Sequence, residues 1–67
     1  MEKDKIAENI LNVRLEHGLN QKQFGEKLGF SQRSVSHWEN GDRVPTIEVI
    51  RKISKLFDIT YEELIDG

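Results

Sequence analysis

Residues 21–40 read QKQFGEKLGFSQRSVSHWEN, and the spacing of their glycines and apolar side chains decides the fold. Gly25, Gly29, Val35 and Trp38 stand four, six and three positions apart. Two short helices crossing steeply over a tight turn need a small residue at their closest approach, a turn residue that accepts the left-handed region, and apolar anchors on the second helix. The stretch supplies all of these in order. A helix is predicted over Gln21–Leu28, with Asn20 as N-cap and Gln23 in capping-box register, burying Phe24 and Leu28. Another is predicted over Gln32–Asn40, capped by Ser31 and turning Val35, Trp38 and Glu39 inward.

Working outward, the N-terminal side predicts a helix from about Asp4 to His17, with Ile6, Ile10, Val13 and His17 sharing one face directed at the core. His17, in its last turn, reads as a packing group or a partner of the helix dipole. Leu11 and Leu15 point away from that stripe and are expected to be exposed, either as isolated surface leucines or as a contact patch for a partner. On the C-terminal side a helix follows Pro45 with Thr46 as cap, and Val49, Ile50, Ile53, Leu56 and Phe57 form its apolar face. A last short helix begins at Thr60, pairs it with Glu63 in a second capping box, and offers Leu64 and Ile65 for packing. Gly18, Gly29 and Gly41 close successive segments, as left-handed helix ends do. No alternating run of strand length, internal repeat or linker interrupts the chain. The expected fold class is all-α, a compact five-helix domain occupying residues 1–67 as one unit.

A chain of 67 residues, 36% hydrophobic, has room for one core, burying roughly 60% of its unfolded surface. No apolar run approaches the ~20 residues of a membrane span, and Met1 is followed by Glu2, Lys3, Asp4 and Lys5 rather than a basic start and an apolar stretch. A soluble, cytoplasmic protein without membrane contact is expected. Cysteine is absent and the two histidines lie far apart, so no disulfide, metal site or cofactor is expected. Nor is there a nucleophile, base and orienter set or a Gly-rich phosphate loop, which speaks against an enzyme. Ten Lys and Arg against 12 Asp and Glu give a net charge of −2, which argues mildly against a polyanionic partner. The distribution softens this, because Asp58, Glu62, Glu63 and Asp66 concentrate negative charge in the C-terminal tail. That tail reads as a solvated helix end or as a device that would orient a dimer away from such a partner.

In order and spacing, Arg14, the Gly18-Leu19-Asn20-Gln21 start, the Leu28-Gly29-Phe30-Ser31 turn, Trp38-Glu39-Asn40-Gly41 with Arg43 and Pro45, and the closing Phe57-Asp58-Ile59-Thr60 resemble the phage-repressor and Cro-like (XRE-type) helix-turn-helix family. The resemblance runs from about Ile6 to Ile65 and implies a lambda-repressor-like fold with the central motif at Gln21–Asn40. It also implies a transcriptional regulator, read as a repressor, that binds a short double-stranded DNA operator through the major groove.

The residues themselves place Arg33, Ser36, His37 and Asn40 opposite Val35, with Gln32 in the first turn, giving a polar outer face. The resemblance implies that Gln32, Arg33, Ser36 and His37 meet base edges: Gln pairs with adenine, Arg with guanine, and His37 donates to guanine or packs beside a thymine methyl. Gln21, at a helix N-terminus, is either a phosphate contact or an ordinary first-turn residue, and Lys22, Asn40 and Arg43 complete the implied phosphate set. Asp42 departs from the pattern, since a basic residue is frequent there. Trp38, beside Val35, reads as a core anchor rather than a base-stacking aromatic. The resemblance further implies a largely buried ion pair between Arg14 and Glu39. With no separate oligomerisation domain expected, the chain itself is expected to form a weak homodimer that tightens on DNA, through a surface including Phe57, Ile59, Tyr61 and Ile65. The competing expectation is a protein-interaction module, such as an antitoxin or anti-repressor, that keeps the fold and binds a protein partner.

Overall fold

A computed structural model describes residues 4–67 and consists of five helices: α1 (Lys5–Glu16), α2 (Gln21–Leu28), α3 (Gln32–Asn40), α4 (Ile47–Phe57) and α5 (Tyr61–Ile65). Residues 1–3, including the start considered above, lie outside the described residues. Each helix begins at a side-chain cap: Asp4, Asn20, Ser31, Thr46 and Thr60 accept from backbone N–H groups of the first turn. The boxes at Asn20/Gln23 and Thr60/Glu63 are reciprocal, so two otherwise orphaned donors are satisfied at each of those starts. Glycines in the left-handed region end α2 and α3, whereas α4 ends at Asp58, a non-glycine residue at φ 54°. Aspartate tolerates that region better than most side chains.

One core joins all five helices: Ile10 and Val13 from α1, Phe24 and Leu28 from α2, Val35 and Trp38 from α3, the α4 face, and Leu64 from α5. Phe24 stacks on Phe57 at 5.0 Å, which fixes the distance between α2 and α4. A five-residue helix such as α5 is far below the length that holds in water unaided. It is tied down by fully buried Leu64 and by Asn9 of α1, whose amide donates to the carbonyls of Glu63 and Leu64.

Four expectations need correction. His17 is exposed and leaves the α1 stripe, because α1 ends at Glu16; its Nδ1 lies against the Val13 carbonyl and its ring meets Phe57 edge-on. Ala7 takes the corresponding place in the core, with Ile6 half-buried against it. Leu11 is half-buried, so only Leu15 is an exposed leucine on that side of α1. On α4 the buried set is Val49, Ile50, Ile53 and Phe57, while Leu56 is 51% exposed. Phe57 is therefore spent on the core and unavailable to a second subunit, and Ile59 is half-buried against that core.

Two tests follow from this packing. A Cβ on Gly25 would stand 2.5 Å from the Phe30 carbonyl oxygen, a backbone atom that cannot yield without moving the turn. Gly25→Ala is expected to destabilise the domain by about 1–3 kcal/mol in urea denaturation; an unchanged midpoint would show the crossing to be loose. The Glu63 carboxylate accepts from the backbone and the hydroxyl of Thr60, which holds its carboxyl below the ordinary glutamate value. Its folded value being depressed, the contribution is present above the ordinary value and lost as pH falls through the lowered one. The melting-temperature difference between wild type and Glu63→Gln should therefore be constant near neutrality and shrink on acidification, whereas a pH-independent difference would contradict the cap.

Candidate nucleic-acid interface

The α2–α3 crossing puts the polar residues of α3 on the surface. Phe30 N–H donates to the Gly25 carbonyl at 2.8 Å across the turn, and Gly29, at φ 84°, reverses the chain. Ser31 then starts α3 by accepting from Ser34 N–H. With Val35 fully buried and Trp38 nearly so, the rotation of α3 is set by the core, and Gln32, Arg33, Ser36, His37 and Asn40 emerge on the other side. Phe30, packed edge-on against Trp38 at 5.3 Å, supports the turn from outside, and Lys52 of α4 lies over its ring while donating to the Leu28 carbonyl.

These outer residues share a shallow depression of about 380 Å³ with Gln21 and Asp42. Arg43 lies in an adjoining hollow of about 350 Å³ that also contains Arg33, Ser34 and His37, so the two concavities form one continuous face. Gln32, Arg33 and Asn40 are exposed, and Ser36 and His37 are half-buried. The Asn40 amide reaches the Ser36 hydroxyl at 3.4 Å, and His37 Nδ1 lies 3.3 Å from a carboxylate oxygen of Asp42. Lys22 is exposed in the first turn of α2 but lines neither hollow.

Behind this face, Arg14 and Glu39 meet in a two-pronged pair at 2.7 and 3.0 Å, with side chains 13% and 5% exposed. Arg14 also donates to the Leu19 carbonyl, and the amide nitrogen of Gln21 donates to Glu39 at 3.0 Å. Gln21 is thus committed inward: what it can offer an anion is its backbone N–H at the start of α2, not its side-chain amide. No local sequence pattern signals this bond, which spans 18 positions. Nor did spacing reveal Ser34 as part of the second hollow, or Asp42 as a partner of His37. Among the described residues no helix is long and apolar enough to cross a membrane.

The family model described as helix-turn-helix matches residues 10–64. The HTH-type transcriptional activator BcrR of Enterococcus faecalis is 37% identical over 63 residues, covering 94% of this chain and 31% of that protein. The antitoxin PezA of Streptococcus pneumoniae serotype 4 is 33% identical over 60 residues, covering 90% and 38%. The chain therefore spans about a third of the length of these two relatives. The crystal structure of a transcriptional regulator from Listeria innocua superposes with a TM-score of 0.84 at 31% identity, covering 92% of this chain and 58% of that one.

The buried pair gives a direct test. Glu39→Gln leaves the Arg14 guanidinium without its countercharge and should cost about 3 kcal/mol, the lower end for a broken buried pair given the residual exposure of Arg14. The double variant Arg14→Met with Glu39→Met should lie closer to wild type than either single change in a denaturation cycle; additive losses would show that the pair is not coupled.

Proposed function

The chain belongs to the helix-turn-helix family, and we propose that it binds double-stranded DNA sequence-specifically, with α3 in the major groove, and regulates transcription from a short operator. The observation that carries this reading is the continuous polar face on which α3, the start of α2 and the turn after α3 converge. Gln32 and Arg33 stand at the N-terminal end of α3, where a helix inserted in the groove first meets bases. Arg33 suits the paired acceptors of guanine and Gln32 the donor and acceptor of adenine, each good pair discriminating by about 1–3 kcal/mol. Ser36 and His37 form the next rank. The N-terminal N–H groups of α2 at Gln21 and Lys22, the Lys22 ammonium, Asn40 and Arg43 hold phosphates on either side and fix the register without reading sequence.

Residues 1–67 act in this reading as one DNA-binding unit that pairs weakly in solution and tightens on two half-sites about 34 Å apart. Exposed Leu56 and Tyr61 offer apolar surface for that pairing near the C-terminal end. Repression follows where the operator overlaps a promoter. No chemistry on the bound DNA is part of the proposal, and neither is a cofactor.

A protein-binding role is the second reading, favoured by the net charge of −2 and by the likeness to an antitoxin. Salt separates the two. DNA affinity should fall by about 0.9 log units per phosphate contact for each tenfold rise in salt, and Arg43→Ala should reduce that slope by about one contact. Selection from a random duplex library at near-physiological salt should recover a two-fold symmetric site whose preference relaxes at one position in Arg33→Ala. Absence of enrichment together with salt-insensitive capture of a protein would favour the second reading.

A further inference from the structure

Asp42 sets a carboxylate in the face that the proposed function brings against a polyanion. Its placement is built in by the turn that ends α3. Gly41, at φ 81°, turns the chain back, and the N–H groups of Asp42 and Arg43 both donate to the carbonyl of His37, at 3.0 and 3.3 Å. The backbone after α3 is therefore fastened to His37 itself. The same loop brings a carboxylate oxygen of Asp42 to 3.3 Å from His37 Nδ1, in the depression shared with Gln32, Arg33, Ser36 and Asn40.

A neutral imidazole has one N–H donor and one bare acceptor nitrogen, and the partner of one nitrogen decides the state of the other. A carboxylate can only accept. We propose that Asp42 is a positioning residue for base readout: in the neutral imidazole of His37 it accepts from Nδ1–H and so leaves Nε2 bare, and His37 then selects an amino group, cytosine N4 or adenine N6, and disfavours guanine. This rests on the reading of α3 as the DNA-reading helix and deepens it. The opposite tautomer would set the lone pair of Nδ1 against the Asp42 oxygen, two acceptors facing each other at hydrogen-bond distance. With Asp42 absent nothing opposes that tautomer, and Nε2–H then suits guanine N7 and O6 or thymine O4. The general cost of a carboxylate near phosphates falls on all sequences alike, whereas the tautomer acts on one base position.

Ring-nitrogen spectra of ¹⁵N-labelled protein free of DNA, at pH 8, test the tautomer. Library selection with the same variants tests the readout. Wild type should show the proton on Nδ1 of His37 and prefer cytosine or adenine over guanine at one operator position by about fivefold to tenfold. Asp42→Ala should move the proton population toward Nε2 and erase that preference. Asp42→Asn, whose amide can donate to a bare Nδ1 as readily as accept from Nδ1–H, should lose most of the bias although its size is kept, which separates the acceptor-only character of the carboxylate from the bulk of the side chain. A wild-type ring protonated on Nε2, a tautomer indifferent to Asp42→Ala, or identical base preferences in all three proteins would each overturn the proposal. A library showing no enrichment with any variant would overturn the DNA reading instead, and the spectra of the free protein keep the two failures apart.

Discussion

Three helices meet at the carboxylate of Glu39, whose side chain is 5% exposed and accepts twice from Arg14 of α1 and once from Gln21 of α2. Desolvating the two charges offsets much of their attraction, so the network's value lies in specificity: an arrangement that separates them strands a charge at a cost of several kcal/mol. The rotation of α3 is consequently fixed twice, by Val35 and Trp38 in the core and by Glu39 at its C-terminal end. Since Arg33, Ser36 and His37 ride on the same helix, the constraint that closes the fold also aims the face proposed to read DNA.

The rest of the molecule serves that arrangement. Gly25 lets the carbonyls of Phe30 and Ser31 approach α2 closely, which brings the start of α3 beside the start of the polar face. Phe57 of α4 backs Phe24 of α2 from below. The short α5, held by Leu64 and Asn9, closes the far side of the core against α1.

Much of this was legible in the sequence because it depends on neighbours. The caps at Asn20 and Thr60, the turn glycines and the small residue at position 25 are signals within three or four positions, and each stands where the structure has it. Periodicity was a weaker guide at helix ends and on wide faces. His17 followed the α1 stripe by spacing alone but lies past the last turn, and Leu56 sits beside the α4 stripe without entering the core. The long-range polar contacts left no pattern at all: Asn9 with α5 and Gln21 with Glu39 depend on how the helices settle against one another, not on adjacent residues. For the candidate site, the outer side chains of α3 were readable, whereas the inward commitment of Gln21 and the partner of His37 were not.

The central claim is that one surface, made by α3 with the start of α2 and the loop after α3, takes the DNA. Amide chemical-shift mapping of the labelled protein against a short random-sequence duplex at low salt tests it most directly, since non-specific binding already engages the phosphate contacts. The account predicts the largest shifts at Gln21 and Lys22, along Gln32–Asn40 and at Arg43, with smaller changes at Leu56 and Tyr61 confined to the pairing of two protomers. Shifts concentrated on α4 and α5, with α3 silent, would contradict it.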